Sequence, residues 1–366
     1  MLTFAIIAGL LLLVVLLLLL FRINALTDVM KTEGQRRAST SNKVNAVLMM
    51  VFLIAAGALF FWYSIARQNE YKLPVASDHG IVTDNLFWIS TIVTGIVFIL
   101  THILLFWFSY RYQYKKNAKA LYYPENNKLE IYWTVIPAIV LTGLVFSGWK
   151  AWTDITDKAP EGAEVVEIVG QQFQWTARYP GKDKQLGSFD FRMIDEVNSL
   201  GIDFSDKSSF DDFIPRKIFL PVNKPVEFKI RAKDVLHSVY APHFRLKMDA
   251  VPGMPTRFWF VPNTTTAKMR EDLKNSGNPF WQEIDPDTGE PKWKNFNYEL
   301  ACAEICGRGH FSMRLLIEVV EEVEYEKWYA EQKSWLSMNE DYLSKVPANL
   351  KELAAISAGI ENSANN

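Results

Sequence analysis

Cys302-Ala303-Glu304-Ile305-Cys306-Gly307-Arg308-Gly309-His310-Phe311-Ser312-Met313 holds both cysteines of a 366-residue chain. Cysteine, cysteine, histidine and methionine fall at relative positions 0, +4, +8 and +11. Thiolate, imidazole and thioether form a soft donor set, which selects copper over hard cations. Asp234-Val235-Leu236-His237 offers a second imidazole upstream. The stretch lies between two apolar runs, 298–301 and 314–320, and a loop joining adjacent strands can aim all four donors at one point. A single copper of the blue type needs one cysteine, two histidines and a weak axial methionine. The extra thiolate therefore points to two coppers bridged by both sulfurs. A Cys302–Cys306 disulfide suits an oxidising compartment but accounts for neither His310 nor Met313. Tetrahedral zinc on two cysteines and two histidines leaves Met313 without a role. Ligand types favour copper and leave both alternatives open.

Outward from this loop, residues 164–170, 173–179, 216–221, 226–231, 257–261, 296–301 and 314–320 read as short strands separated by Pro and Gly turns. That pattern predicts an all-β sandwich, and the lack of alternating helices argues against a βαβ sheet. His237 is expected at a strand end on the same rim. Residues 181–215 and 267–294 are polar and read as inserted surface excursions. Beyond 321 the chain turns helical around Trp328, Trp335 and Tyr342, and 358–366 reads as a disordered end.

The N-terminal half is different. Residues 4–21, 44–66, 86–108 and 131–149 are each close to the roughly 20 apolar residues that a spanning helix needs. Basic residues follow the first span (Arg22, Lys31, Arg36, Arg37, Lys43) and the third (Arg111, Lys115, Lys116, Lys119, Lys128), so both loops are expected inside. Four spans then place everything after Trp149 outside. Residues 4–21 lack a basic start and a small-x-small cleavage site, which predicts an uncleaved anchor rather than a signal peptide. Trp62, Tyr63, Trp107, Tyr110, Tyr112, Trp133, Trp149 and Trp152 sit near span ends, as an interfacial belt requires. Glu130 precedes the fourth span, where a solvated acidic residue at a helix start is the plain reading.

A formal net charge of −2 gives no case for nucleic acid. No Cys-x-x-Cys-His is present, so covalent haem attachment is excluded. Five histidines exclude a large imidazole cluster.

At this point the chain resembles subunit II of a haem-copper cytochrome c oxidase. The resemblance is carried, in order, by Leu129-Glu-Ile-Tyr-Trp-Thr-Val-Ile-Pro137, Gly170-Gln-Gln-Phe-Gln-Trp175, Val235-Leu-His-Ser238 with Lys247-Met-Asp-Ala-Val-Pro-Gly253, and Cys302 to Met313. It implies N-terminal transmembrane α-helices (a two-helix hairpin plus two extra N-terminal spans) followed by an all-β cupredoxin-like sandwich. The implied division is 1–66 extra spans, 67–158 hairpin, 159–322 copper A domain and 323–366 helical tail. The resemblance places His237, Cys302, Cys306, His310, Met313 and the Glu304 carbonyl on two copper ions, the copper A centre. It gives the Glu304 side chain to a magnesium shared with subunit I, and Glu130 to the mouth of a proton channel. Electrons are expected to enter at Phe173, where the family often has Trp, or at Trp175 two residues on, facing the same side of a strand. The implied activity is electron uptake from cytochrome c or a similar small donor outside the inner membrane. From there electrons pass to haem in subunit I, for O₂ reduction coupled to proton pumping. No haem is expected on this chain; its partners are the other oxidase subunits and membrane lipid. A membrane-anchored copper chaperone is the rival, but its thioredoxin-like domain needs βαβ alternation and has no +8 His or +11 Met. Quinol oxidase subunits lack the copper ligands, and nitrous oxide reductase needs more histidines.

Overall fold

The computed structural model describes residues 12, 14–23, 26–27, 40–71, 73–115 and 118–360. The chain divides into two compact units, Met1–Gln68 with Trp88–Val140, and Asn69–Phe87 with Leu141–Asn366. Among the described residues, three helices are long and apolar enough to cross a membrane: α1 (Thr40–Ala66), α2 (Asp78–Arg111) and α3 (Asn127–Thr156). At 1.5 Å per residue, 34 residues make α2 about 51 Å long, well beyond a hydrocarbon core of about 30 Å. Their large apolar side chains, such as Phe60, Ile103 and Ile139, are exposed, as lipid-facing surfaces must be. Within the first unit Phe52 of α1 meets Phe106 of α2, ring centroids 5.9 Å apart. Of the expected first span only Leu12 and the apolar helix Val14–Ile23 are described. The rest of 4–21, with Lys31, Arg36, Arg37, Lys116 and the tail 361–366, lies outside the described residues.

The second unit is built on two packed sheets. One has the order β2–β1–β4–β7: β1 (Glu164–Gln171), β2 (Gln174–Arg178), β4 (Val226–Ala232) and β7 (Thr256–Phe260). The other has the order β3–β9–β8–β5–β6: β3 (Ile218–Pro221), β5 (His237–Ala241), β6 (Leu246–Ala250), β8 (Tyr298–Cys302) and β9 (Arg314–Val320). Alternation decides which side chains meet. Val166, Ile168, Phe228, Ile230 and Phe260 from the first sheet pack against Leu220, Val239, Leu246, Leu300 and Ile317 from the second. Strand β5 has His237 at its end, as expected, and strand β6 is an addition to the sequence reading. Leu246, Met248 and Ala250 do alternate with exposed Lys247 and Asp249, but only over five residues.

The two polar segments are not plain surface excursions. Leu200, Ile202, Phe204 and Phe210 are buried with Trp335, Leu336, Tyr342, Val346 and Ala358 in a second apolar cluster that also takes Val169 of β1. Segment 181–215 and the C-terminal helices thus form a third layer on the outer face of the first sheet. Its apolar residues are spread among Asp and Ser without helical or strand period, which hides the burial in the sequence. In the other segment, α4 (Thr266–Asn275) is capped by the Thr265 hydroxyl and buries Met269 and Leu273 in the main core. The tail is helical as expected, in α5 (Glu322–Ala330) and α6 (Lys351–Ala358). Buried Ala358 belongs to the second cluster rather than to a disordered end.

Buried charge joins the third layer to the sheet. Arg178 donates to Glu167 (2.8 Å), Asp212 (3.0 Å) and the Gly187 carbonyl (2.8 Å), and Arg231 donates to Glu167 (2.8 Å) and the Leu200 carbonyl (2.9 Å). Burial pushes the Glu167 carboxyl up, but Arg178 and Arg231 outweigh it and hold the group below its usual range. Asp212 is pushed up to about 8 by burial, against the pull of Arg178.

Two outcomes follow. Glu167→Gln removes the anion between two buried guanidinium groups and should cost about 3–5 kcal/mol in urea unfolding. Asp212, raised on folding, binds more protons folded than unfolded. Its contribution is therefore complete below the unfolded value of 3.8 and lost as pH rises to about 8. Asp212→Asn should flatten that decline; an unchanged slope between those limits would contradict the assignment.

Candidate metal centre

The cysteine loop is the connection between β8 and β9, antiparallel neighbours paired from Tyr298↔Ile317 to Ala301↔Arg314. Cys302 ends β8, and Met313 immediately precedes β9. Strand β5 pairs with β8 through Val239↔Cys302, so His237, two residues earlier, reaches the mouth of the loop. Register therefore brings together side chains 65 positions apart.

The donor atoms converge. Cys302 Sγ lies 3.8 Å from His237 Nδ1 and 3.9 Å from Cys306 Sγ. Cys306 Sγ lies 3.7 Å from His310 Nδ1 and 3.9 Å from Met313 Sδ. Ligand atoms of His237, Cys302 and Cys306 all fall within 4.8 Å of one another. Both cysteines are free, and their separation is far beyond a disulfide bond of about 2 Å. The Glu304 carbonyl accepts from the Cys302 thiol at 3.2 Å. The Glu304 side chain is exposed, so this residue turns its backbone toward the sulfur and offers its carboxylate to solvent. His237, Cys306 and Met313 are buried.

Three positions were missed by the sequence reading. His237 Nε2 donates to Asp234 Oδ1 at 2.9 Å. That bond holds the ring so that Nδ1 faces the sulfurs with its lone pair available, the arrangement usual for histidine ligands. Burial pushes the Asp234 carboxyl up. Hydrogen bonds from the Gln172 N–H, His237 and the Val235 N–H outweigh this and keep it below the usual carboxylate range. Gln172 joins the set twice: its N–H donates to Asp234 at 2.7 Å, and its side-chain amide donates to the Cys306 carbonyl at 2.6 Å. The Asp-x-x-His spacing was a usable signal for Asp234; Gln172 had none. The third is Gly170, where a Cβ would stand 2.8 Å from Trp175 and 3.0 Å from His237.

The two aromatic candidates part company. Phe173 is not in a strand: Gln171 pairs with Gln174, and residues 172–173 are the turn between β1 and β2. The argument that Phe173 and Trp175 share a strand face fails for that reason. Phe173 is 37% exposed and lies over the cysteine loop, where a Cβ on Gly309 would come within 2.5 Å of its ring. Trp175 is 5% exposed, with its ring edge-on to His237 at 5.7 Å. Glu130 lies exposed in the first turn of α3, in the other unit.

The donor set fits soft metal ions: two thiols, two imidazoles, a thioether and a carbonyl. Burial, then the neighbouring Cys302, pushes the Cys306 thiol up to about 11. A cation bound here would favour the thiolate form of the cysteines.

Comparison with known proteins gives the same direction. Residues 72–150 match the family described as cytochrome C oxidase subunit II, transmembrane domain, and 164–267 match its periplasmic domain. The chain is similar to the alternative cytochrome c oxidase subunit 2 of Bradyrhizobium diazoefficiens, 32% identical over 80% of this chain and 94% of that protein. It is also similar to cytochrome c oxidase subunit 2 of Cereibacter sphaeroides, 25% identical over 80% and 94%. Among solved structures it is similar to the periplasmic domain of subunit II of cytochrome oxidase of Bradyrhizobium japonicum. The identity there is 22%, over 47% of this chain and 95% of that one, with TM-score 0.29.

Gly170→Ala should force Trp175 or His237 to move, at a cost of about 1–3 kcal/mol for overpacking. Thermal unfolding and the shift of tryptophan emission would read it; an unchanged protein would show that the ring pair has slack.

Proposed function

The chain belongs to the cytochrome c oxidase subunit II family, and from that premise we propose that it is the electron-accepting subunit of a terminal oxidase. His237, Cys302, Cys306, His310, Met313 and the Glu304 carbonyl would hold two copper ions. The observation that carries this reading is the convergence of both cysteine sulfurs, each with its own imidazole nitrogen within 3.8 Å. A copper pair held by these residues would supply one-electron uptake and release.

The protein's own groups supply the rest. Asp234 keeps the His237 tautomer fixed, and Gln172 ties the aromatic turn to the cysteine loop. Burial of His237, Cys306 and Met313 shields one side of the centre from water. Phe173, exposed over the loop, is the position where a donor protein such as cytochrome c would deliver its electron. Buried Trp175 braces His237 from behind. Exposed Glu304 is free to share a magnesium with subunit I, since that ion prefers oxygen donors. Glu130 would serve the mouth of a proton channel, and haem and oxygen chemistry would reside on subunit I. The transmembrane helices would anchor the chain in the inner membrane with the sandwich outside. The chaperone reading finds no support, because the described fold is a β-sandwich without thioredoxin-like βαβ units.

Copper analysis and EPR of the purified oxidase test this directly. Two coppers in the chain and a seven-line hyperfine pattern are expected, and Cys306→Ser should abolish the pattern. A four-line spectrum, or no copper on the chain, would sink the proposal. Asp234→Asn should weaken copper retention about 10–100-fold against a chelator. Phe173→Ala should slow electron delivery from the donor while leaving the copper signal intact.

A further inference from the structure

We propose that Arg245 is a positioning residue that locks the hairpin bearing His237 onto the outer turns of α2, a role that rests on the copper reading above. Arg245 follows the tight turn Pro242–Phe244 between β5 and β6, in a left-handed conformation (φ 52°) that non-glycine residues seldom adopt. Its guanidinium has a partner at every nitrogen. Nε and Nη2 grip both oxygens of Asp84, at 2.6 and 2.9 Å, Nη2 also donates to the Leu73 carbonyl at 2.7 Å, and Nη1 to the Pro242 carbonyl at 2.7 Å. Asp84 lies near the start of α2, and Leu73 lies in the segment that leads into it. One planar fork therefore holds both arms of that approach, a geometry that arginine forms and lysine does not.

The same approach is stitched down independently. The Ala76 N–H donates to the His243 carbonyl at 2.8 Å, and the Ser77 hydroxyl to the Phe244 carbonyl at 2.8 Å. On its other side the Asp78 N–H donates to the Val261 carbonyl at 3.1 Å, and the Asn263 N–H to the Ala76 carbonyl at 3.0 Å. Ala76 and Ser77 are fully buried. At Gly80 a Cβ would come within 2.4 Å of Val75 and 3.2 Å of the Arg245 side chain, so the helix meets the turn with no room for one.

The β5–β6 ladder runs from Ala241↔Leu246 beside this lock to His237↔Ala250 at the candidate centre. That is four residues of strand, about 13 Å. A hydrogen-bonded path therefore runs from the first turns of α2 through Arg245 to a metal-binding imidazole. Electron tunnelling falls steeply with separation, so this path sets how reproducibly the copper residues face an acceptor in the membrane subunit.

The test uses the whole oxidase, with the copper pair reduced by a photoactivated ruthenium complex and the haem followed optically. Arg245→Gln should leave copper content and the EPR pattern unchanged, slow transfer to haem about tenfold, and raise amide exchange in residues 73–84. Arg245→Lys should recover the rate only in part. The swap of Arg245→Asp with Asp84→Arg should recover more than either single change. Transfer at the parent rate in Arg245→Gln, even with faster exchange, overturns the proposal by reducing the lock to a structural contact. Should Arg245→Gln fail to assemble, a parent-like rate in Arg245→Lys, which loses the fork, overturns it equally. A parent oxidase without the seven-line signal removes the copper reading itself, an outcome distinct from a changed rate.

Discussion

Two sulfur atoms held 3.9 Å apart, one on a half-buried and one on a buried cysteine, are the constraint on which this structure turns. Neither thiol can neutralise the other, and burial pushes the Cys306 thiol up. Two imidazoles and a thioether pressed against them add further lone pairs. A cavity lined by donors alone is expensive unless something electron-poor fills it. The geometry must also survive whether or not that partner is present. Here it does so because the donors are fixed by strand ends and by neighbours outside the cluster. The β8–β9 ladder fixes Cys302 and Met313, β5 fixes His237, Asp234 fixes its ring, and Gln172 holds the backbone at Cys306.

What the sequence disclosed follows from how each feature is encoded. The donor loop was legible because its chemistry is local: twelve consecutive residues carry four soft ligands, and few other folds have use for that set. The helices were legible because lipid demands long unbroken apolar runs. The strands of the first sheet were legible because one face is buried and residues alternate. Phe173 was misread because parity holds only inside a strand, and a two-residue turn broke it. Gln172 was invisible because its partners lie 62 and 134 residues away. The third layer was invisible for a related reason: Leu200, Phe204 and Phe210 become a core only when Trp335 and Tyr342 return from the far end of the chain.

That third layer has a physical logic of its own. The outer face of the first sheet carries Glu167, Arg178 and Arg231, charged groups that belong in water if the face is open. Covering them means satisfying them, and segment 181–215 does so with Asp212 and the Gly187 and Leu200 carbonyls. Buried ion pairs gain little over a well-packed apolar face, so these contacts matter chiefly because they leave Arg178 and Arg231 with partners under the layer. The polar character that made the segment look like a surface excursion is what lets it lie on a charged sheet.

On the proposed reading, the separation of Phe173 from Trp175 would let the same contacts serve electron transfer. An aromatic residue that meets a passing partner has to be reachable, and one that steadies a ligand has to be enclosed. A strand would have turned both side chains the same way and left both tasks to one environment. The turn at 172–173 divides them, leaving Phe173 on the surface over Gly307 and Gly309 and letting Trp175 descend against His237 through the space that Gly170 leaves open. Because Gln172 in that turn also bonds to Asp234 and to the Cys306 carbonyl, the exposed ring and the enclosed donors share one short framework. A donor pressing on Phe173, as proposed, would therefore meet a surface whose position is set by the same bonds that place the sulfurs, which is the condition for repeated contact at a constant distance.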